Sequence, residues 1–434
     1  MHPSALQWML VVGFCIRVAV IPLQIGEHLN PAWDHWKFGW EMGRVARSLY
    51  LGHGFASPIW GVDSGPTAWL MPVYPLLMAA CFKLFGLFTP TAAVALLTLN
   101  CAFGALTAVP VFRVAKRLLG RESALAAGWF WALSPYSIYL ASARIWENTL
   151  TALLFAWILE FTYRVDEDGS WRTWLIWGAL WASAMMTSAT VLACLPFLLA
   201  WVAWRQYWQN DRRWILRSAA LFALILTTLA PWATRNYIVF HRFMPLRSNL
   251  WLEVWVGNIG RYDAPFPKAG HPTNNLEEHE QWRELGEVGY MEAKKREVIS
   301  YIGAHKAEFV RMTFRRAVYT WTSYWNYEHE ISKGEPMYIS GFVYFTVISA
   351  FSMVGVWFAC RKVGAQRVLP IILVLLTFPL VYYVTHPAWE YRHPLDPLLT
   401  ICAAHGWLVF RKRLSEQQEP RFEPEPALDS AGES

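Results

Sequence analysis

Residues 92–112, AAVALLTLNCAFGALTAVPVF, form an apolar run without a charged side chain. A helix of roughly 20 mostly apolar residues is long enough to cross a bilayer. Runs of similar length and composition recur along the chain, so we predict an all-α polytopic membrane protein with about ten transmembrane helices and additional juxtamembrane helices. The predicted spans are 5–25, 92–112, 123–141, 148–163, 173–187, 189–206, 214–231, 340–360, 367–385 and 393–411.

The overall composition supports this fold class. Hydrophobic residues make up 55% of the 434 residues and charged residues only 16%. So few charges cannot cover a soluble core of this size, so most of the chain must face lipid. Lys and Arg occur in short clusters between the apolar runs and form no basic stripe with a nucleic-acid motif, so we expect no nucleic-acid partner. All six cysteines lie inside hydrophobic segments, and we predict no structural disulfide.

The clusters of Lys and Arg also predict the orientation, because such clusters prefer the cytoplasm. They place the long loop 232–339 outside, which for a bacterial inner membrane is the periplasm. The first loop, 26–91, lies outside only if the apolar segment 69–87 does not cross. Two prolines and Lys83 disfavour a lipid-facing span, so we predict an interfacial or re-entrant helix. If this segment crosses, the first loop faces the cytoplasm and the candidate site is divided between the two faces.

We predict four units along the chain. The long outer loop is expected to contain one helix from about Asn275 to His305 and a second that ends near Tyr324. The C-terminal tail is rich in Pro, Glu and Ser and is predicted to be disordered. The units are an N-terminal transmembrane module at 1–231 with the first periplasmic loop 26–91, a helical periplasmic subdomain at 232–339, C-terminal transmembrane helices at 340–413 and a cytoplasmic tail at 414–434.

The stretch Trp33–Arg47, WDHWKFGWEMGRVAR, follows the first span and carries the first candidate site residues. Its polar and aromatic positions recur at helical spacing, which predicts a helix lying on the membrane interface. Asp34 and Glu41 are candidate catalytic carboxylates, because a carboxylate at the boundary between lipid and water can take a proton from a hydroxyl group of a substrate. The structural alternatives are an N-cap role for Asp34 and ion pairs of Glu41 with Lys37 and Arg44.

Glu147, in the segment SARIWENTL at the outer end of a span, is the third catalytic candidate. The predicted topology brings it to the same face as Asp34. Arg144 is a candidate substrate-binding residue beside it. The alternative is a purely structural Arg144–Glu147 ion pair, because an unpaired charge at the end of a span is costly.

Basic residues at the outer membrane rim are candidates for binding a lipid phosphate, because a guanidinium group can bind a phosphate through two hydrogen bonds. The candidates are Arg235 with Asn236, at the exit of one span, and Arg392 with His393, at the entry of the last span. The alternatives are interfacial anchoring for the first pair and ion pairing with Glu390 or Asp396 for the second.

Histidines on the outer side raise the question of a metal site. His35, a further substrate-binding candidate, could join His271 and His386 with Asp34 or Glu41 in binding a divalent metal. Their spacing matches no defined ligand motif, so we predict no particular metal cofactor.

Four segments resemble a known family. EMGRVARSLYLGHGFASP (41–58) and GPTAWLMPVYPLLMAACFKLFG (65–86) resemble the first outer loop and the following proline-containing helix of GT-C glycosyltransferases of the protein O-mannosyltransferase and aminoarabinose-transferase type. PWATRNYIVF (231–240) and EYRHPLDPLL (390–399) are similar to later landmarks of the same bacterial group.

The resemblance implies a polytopic inverting glycosyltransferase. Such an enzyme moves a sugar from a polyprenyl-phosphate carrier to a lipid, glycan or protein acceptor on the periplasmic face. It implies that Asp34 acts as the base or orients the acceptor, that Glu147 is the carboxylate of the next outer turn, and that Arg392 is the arginine of a late Tyr-Arg pair.

Two departures from the family pattern affect these assignments. The first acid is followed by His35 rather than by a second acid, which keeps Glu41 as a candidate. Where many relatives have a lysine after a threonine in the middle of the chain, this chain reads Thr187 and Ser188.

Two other functions remain open at the level of sequence. An oligosaccharide ligase or polymerase would share the polytopic body and the large outer loop but would use a lipid-diphosphate donor. A transporter or lipid flippase is the non-enzymatic alternative. Transporters often contain repeated halves, and we find no internal repeat in the sequence.

Overall fold

The computed structural model describes residues 4–28, 38–59, 63–259, 270–272, 275–323 and 337–418. This part of the chain is helical, and one isolated β-bridge pairs Ala56 with Pro66. The all-α class predicted from the sequence is confirmed. The helices are α1 (Ala5–Gln24), α2 (Glu41–Tyr50), α3 (Val73–Phe85), α4 (Pro90–Leu106), α5 (Ala108–Leu119), α6 (Arg121–Ala132), α7 (Pro135–Ala143), α8 (Asn148–Asp168), α9 (Trp171–Thr187), α10 (Leu195–Trp208), α11 (Trp214–Phe240), α12 (Leu250–Ile259), α13 (Leu276–Ala304), α14 (Lys306–Thr322), α15 (Met337–Val363), α16 (Ala365–Thr377), α17 (Leu380–Val384) and α18 (Asp396–Gln418).

The chain is a multi-pass membrane protein. In the part that the structure describes, 6 helical segments are long and apolar enough to cross a bilayer by themselves. Several combine two consecutive helices; α4 and α5, for example, form one segment. The segments are Ala5–Gln24, Pro90–Leu119, Ala189–Trp208, Trp214–Phe240, Ser340–Val363 and Ala365–Val384.

The sequence predicted more spans than these, and the predicted span 123–141 shows why. The apolar run is continuous, but the helix breaks between α6 and α7. Ser134 Oγ accepts a hydrogen bond from the backbone N–H of Ser137, and Pro135 is the first residue of α7. A serine cap followed by proline favours the start of a new helix over continuation of the old one. The last predicted span likewise begins at Asp396 rather than at 393, after a short 3₁₀ helix.

Arg17 of α1 stabilises the break between α6 and α7. Its guanidinium donates hydrogen bonds to the carbonyls of Gly13 and Ala132 at 2.9 Å, to the carbonyl of Trp131 at 3.1 Å and to Ser137 Oγ at 2.8 Å. The last carbonyls of a helix lack intrahelical donors, and no water is present in the bilayer core to supply one. Arg17 therefore satisfies the end of α6 and fixes α1 against it.

The first outer segment differs from its prediction. The sequence predicted one interfacial helix over 33–47, but α2 begins at Glu41 because Gly39 and Trp40 have positive φ angles of 78° and 53°. The polar face of α2 is also buried rather than solvated. Glu41 is 7% exposed and Arg44 1%, and Arg44 donates to the carbonyl of Pro58 at 2.8 Å. The face that carries Glu41 and Arg44 is therefore packed inside the protein and does not lie in contact with water at the membrane interface.

The doubtful apolar segment 69–87 contains a short helix. α3 has 13 residues, which at about 1.5 Å per residue is about 20 Å. The hydrocarbon core of a bilayer is about 30 Å thick, so α3 cannot cross it alone. The helix packs against α2 and α4, as an interfacial or re-entrant helix would.

The long segment predicted at 232–339 starts later than predicted, and its described residues are largely helical. α11 continues through Pro231 to Phe240, although the sequence placed the end of that span at 231. α12 follows and was not predicted, whereas α13 and α14 occupy the two predicted helical ranges. Glu287 of α13 accepts hydrogen bonds from Thr67 Oγ at 2.5 Å and from the backbone N–H of Ala68 at 2.7 Å. These bonds connect α13 to the first loop.

Candidate active site

A cavity of about 310 Å³ lies where the first loop, the turn before α8 and helix α12 meet. Its wall combines acids, histidines and an arginine with large apolar side chains. The close approach of the first loop requires glycine at position 39, because a Cβ there would clash with the carbonyl oxygen of Ile145. The polar and charged side chains of the wall include Glu41, Glu147, Asn148, Ser188, Thr190, Arg247, Asn249, Glu253, His271, Tyr382, Thr385, His386 and Tyr391.

Two of the wall acids are buried carboxylates, each at the beginning of a helix. Glu41 is the first residue of α2, and Glu147 precedes the first residue of α8. Burial raises the pKa of Glu147 to about 7, against the opposing effect of the positive charge of Arg247. Burial also raises the pKa of Glu41, with Arg44 opposing. A carboxyl group with a pKa near neutrality can both accept and return a proton.

Arg247 is the cation beside Glu147. Its Nη1 lies 3.9 Å from Glu147 Oε1, and its Nε donates to the carbonyl of Trp69 at 2.7 Å. The hydrogen bond to Trp69 orients the guanidinium, while the 22% exposure of the side chain leaves part of it open to the cavity. An arginine held in this way can bind an anionic group that enters the cavity.

Glu147 also has an unused acceptor. Within the described ranges its Oε2 is buried and has no hydrogen-bond partner. A buried carboxylate oxygen without a donor is costly, so a hydroxyl group in the cavity would be stabilised by donating to it.

A second ionisable pair lies across the cavity. His386 Nε2 is 2.9 Å from Glu253 Oε2, and Asn249 Nδ2 donates to Glu253 Oε1 at 2.7 Å. Burial raises the pKa of Glu253, but the hydrogen bond with His386 and the positive charges around the carboxylate, including that of Arg247, together lower it to about 2. Glu253 is therefore ionised at neutral pH, so it differs from Glu147 in charge state.

His271 lies close to Glu41 on the same side of the cavity. Its Nε2 is 4.0 Å from Glu41 Oε1, and its ring packs 5.3 Å from that of Trp69. Burial lowers the pKa of His271 to about 4, so the imidazole is neutral at pH 7. A neutral imidazole beside a carboxyl group can donate or accept a hydrogen bond without adding charge.

The cavity brings together two of the site residues predicted from the sequence, Glu41 and Glu147. The predicted Arg144–Glu147 pair is not the ion pair observed, since the carboxylate of Glu147 faces Arg247 instead. Arg144 lies outside the cavity wall, with its guanidinium 5.8 Å from the ring of Tyr139. Asp34 and His35 fall outside the described residues.

Arg235 and Asn236 were predicted to bind phosphate, but the structure gives them other contacts. Arg235 donates to the carbonyls of Thr67 at 2.6 Å and Phe55 at 2.7 Å, and also to Asn236 Oδ1. Asn236 in turn donates to the carbonyl of Met244. Neither residue lines the cavity, because their polar atoms hold the first loop and the end of α11.

Arg392 and His393 are also absent from the cavity wall. Arg392 Nε donates to Asp396 Oδ1 at 3.1 Å, and His393 Nδ1 lies 3.2 Å from Asp396 Oδ2. Arg392 further bonds Ser349 Oγ, and His393 stacks on Trp131. The pairing with Asp396 that the sequence left as the alternative is therefore the observed arrangement.

Sequence reasoning missed Glu253, Arg247 and Ser188 as wall residues. Glu253 had a usable signal, because it interrupts the apolar segment LWLEVWV, where an isolated acid is expensive. Arg247 lies only twelve positions after Arg235, and nothing in the local sequence distinguishes the two. Ser188 is the residue at which the chain departs from the family pattern, and it lines the cavity.

The described residues do not form a metal site. No group of 3 or more His, Cys, Asp or Glu side chains among them converges closely enough to hold an ion. One of the three histidines considered for such a site, His386, has its Nε2 2.9 Å from Glu253 Oε2.

Comparison with known proteins agrees with this architecture. Residues 66–232 match the family model described as dolichyl-phosphate-mannose-protein mannosyltransferase. The fold also matches the Archaeoglobus fulgidus oligosaccharyltransferase in the apo form, with a TM-score of 0.56 at 13% identity over 95% of this chain and 51% of that one. The chain therefore shares the fold of this oligosaccharyltransferase. Both matches agree with the resemblance that the sequence motifs suggested.

Further structures show the extent of the likeness. Archaeoglobus fulgidus AglB, solved with an inhibitory peptide and a dolichol-phosphate, gives a TM-score of 0.55 at 13% identity over 96% of this chain and 52% of that one. ArnT from Cupriavidus metallidurans gives a TM-score of 0.36 at 14% identity over 95% of this chain and 80% of that one. The chain spans about half the length of the archaeal oligosaccharyltransferases. No curated protein sequence matches it.

Proposed function

We propose that this protein is an inverting glycosyltransferase of the GT-C type. It moves a sugar from a polyprenyl-phosphate donor to a lipid, glycan or protein acceptor. The observation that carries the proposal is the placement of Glu147, a buried carboxyl group with a pKa of about 7, 3.9 Å from Arg247 in the wall of the cavity. This pair supplies a proton acceptor and a phosphate-binding cation in one site.

The reaction follows from these two groups. Glu147 takes the proton of the acceptor hydroxyl, whose oxygen forms a bond to the anomeric carbon of the sugar. The bond between that carbon and the phosphate oxygen breaks, and the lipid phosphate leaves with the electron pair. Arg247 stabilises the charge that develops on the phosphate. Attack opposite the leaving group inverts the configuration at the anomeric carbon.

Other cavity residues have supporting roles in this proposal. Glu41 and His271 lie next to each other in the cavity wall, where they can orient hydroxyl groups of the acceptor or of the sugar. Apolar side chains such as Trp69 and Leu250 line the same cavity and suit the first isoprenoid units of a carrier. Asp34 remains a proposed alternative base, with His35 beside it as a proposed substrate-binding residue.

We further propose that the cavity faces the periplasm of a bacterial inner membrane. The supporting observation is the distribution of charge: basic clusters lie at the opposite ends of the helices, as at Arg117 and Arg205. Such clusters prefer the cytoplasm. The AglB structure was solved with a dolichol-phosphate, which is consistent with a lipid-phosphate donor for a protein of this fold.

The test uses purified full-length protein with a panel of polyprenyl-phosphate sugars and a membrane extract as acceptor. We expect free polyprenyl phosphate to appear in equal amount to the transferred sugar. Activity only with polyprenyl-diphosphate sugars would support the ligase or polymerase and contradict the proposal. Donor movement across liposome membranes without any covalent turnover would support the transporter.

A further inference from the structure

A second cavity, of about 740 Å³, lies at the other end of the membrane helices. The candidate active site adjoins Pro394, just before α18, whereas the second cavity is lined by residues near the end of α18. The ends of α5 and α15 form its other walls, with Leu119 and Phe358. Because the two cavities adjoin opposite ends of α18, a phosphate group bound in one would not reach the other.

The wall of this cavity is strongly basic. Five cationic side chains line it, and Glu122 is the one carboxylate among its lining residues. Glu122, 3.6 Å from Arg411, and Glu416, 3.9 Å from Lys412, neutralise only part of that charge. An excess of cations between helix ends attracts a multiply charged or phosphate-bearing anion. The cationic lining residues are Arg121, Arg361, Lys362, Arg411 and Lys412.

A buried histidine adds a hydrogen-bonding group to this charge. His405 is 4% exposed, and its Nδ1 lies 3.1 Å from Ser123 Oγ. In the part of the chain that the structure describes, His405 Nε2 is buried without a hydrogen-bond partner. If the Ser123 hydroxyl donates to Nδ1, Nε2 carries the proton and needs an acceptor. A phosphate oxygen in the cavity would satisfy it.

The surroundings of the cavity place it at the boundary between lipid and water. Trp357 and Trp407 beside it are 59% and 40% exposed, as in an interfacial aromatic belt. Leu408 and Val409 form an apolar part of the wall next to the cations. This combination of an apolar wall and a basic rim suits a molecule with acyl chains and an anionic head, and suits a soluble phosphate compound less.

We propose that this cavity binds the phosphate headgroup of an anionic phospholipid. The headgroup phosphate lies among Arg361, Lys362 and Arg411 and accepts a hydrogen bond from His405. Its acyl chains leave over the apolar wall into the bilayer. This site is independent of the proposed glycosyl transfer and involves none of its residues.

The experiment reconstitutes the full-length protein in nanodiscs of phosphatidylcholine alone or mixed with phosphatidylglycerol. Lipids that remain bound after extraction into detergent are counted by native mass spectrometry. We expect phosphatidylglycerol to be retained in preference to phosphatidylcholine. The double variant Arg361→Gln/Arg411→Gln removes two cations and should lower that retention about thirtyfold, because each cation near a membrane surface contributes about 1 kcal/mol to binding an anionic lipid.

The matched control is Arg172→Gln/Arg212→Gln, which removes two exposed cations from the same end of the molecule but outside the cavity. It should leave retention unchanged. Equal losses in both variants, or equal retention of the two lipids, would overturn the proposal. Displacement of the lipid by glycerol 3-phosphate would show that a soluble phosphate is the ligand. Retention that appears only after deletion of 419–434 would show that the acidic tail occupies the cavity.

Discussion

Glu147 and Glu160 are both buried acids associated with α8, and their surroundings assign them different roles. Glu160 Oε1 lies 2.7 Å from Arg164 and 3.7 Å from Arg117, at the end of the helix away from the candidate site. It is neutralised by close pairing and is structural. Glu147 has a more distant cation, Arg247 at 3.9 Å, and lines the cavity. A weakly paired buried acid retains the raised pKa that proton transfer requires.

The raised pKa predicts a pH profile. Only the ionised form of Glu147 can accept the acceptor proton, so kcat/KM should rise with pH and level off above about 7. Below that pH the rate should fall about tenfold per unit. The measurement is the rate of polyprenyl-phosphate release between acid and alkaline buffers. A profile that is flat across neutrality would contradict the role of Glu147 as the base.

Arg235 gives a prediction that separates a structural role from the phosphate-binding role predicted from the sequence. Its guanidinium donates to the carbonyls of Thr67 and Phe55. Arg235→Gln should therefore lower the free energy of unfolding by about 1 to 3 kcal/mol, because these carbonyls lose their hydrogen-bond donor. The KM for the lipid donor should not change. A large rise in KM with unchanged stability would restore the phosphate-binding assignment.

At the level of elements, the break between α6 and α7 depends on Arg17 of α1. Replacing it by leucine leaves the carbonyls of Trp131 and Ala132 without their donor inside the membrane. We expect Arg17→Leu to lower the free energy of unfolding by about 2 to 3 kcal/mol. Thermal unfolding in detergent measures this effect.

The control for this prediction is Arg212→Leu, which removes an exposed arginine from a connecting turn. It should leave the unfolding midpoint unchanged. Equal midpoints for the two variants would show that Arg17 is not the residue that stabilises the break. Arg17→Lys should fall between wild type and Arg17→Leu, because an ammonium group cannot make the same set of bonds as a guanidinium.

The helix boundaries show which features of the fold sequence patterns can predict. Apolar length predicted the long membrane helices, and the ranges predicted for the two helices of the long loop match α13 and α14. The start of α2 could not be read in this way, because Gly39 and Trp40 adopt positive φ where the loop passes close to Ile145. That contact joins segments more than a hundred positions apart. Helical periodicity records local geometry and contains no information about such contacts.

At the scale of the whole molecule, the two cavities adjoin opposite ends of α18. We therefore predict that they open at opposite faces of the membrane. Arg242 follows α11 and Arg212 precedes it, and both are exposed. In intact cells, a cysteine at Arg242 should react with a membrane-impermeant maleimide, whereas a cysteine at Arg212 should react only after permeabilisation. The wild-type protein controls for its native cysteines. The reverse pattern would place the candidate active site in the cytoplasm.

The site was less predictable than the fold because its wall comes from distant parts of the chain. Its wall is assembled from the start of α2, the turn before α8, α12 and the segment after α17. Topology predicted that Glu41 and Glu147 share a face, and they do share a cavity. Topology could not distinguish Arg247 from Arg235, since both follow the same span. Their different roles arise from which carbonyls the folded chain places beside each guanidinium.

The central claim is that Glu147 is the proton acceptor for sugar transfer, and one comparison tests it directly. The rate of polyprenyl-phosphate release is measured for wild type, Glu147→Gln, Asp34→Asn and the control Glu167→Gln, whose target is 54% exposed and pairs with Arg117. The account predicts a loss of about 10² to 10⁴ for Glu147→Gln and none for the control. A wild-type rate for Glu147→Gln, with the loss confined to Asp34→Asn, would contradict it.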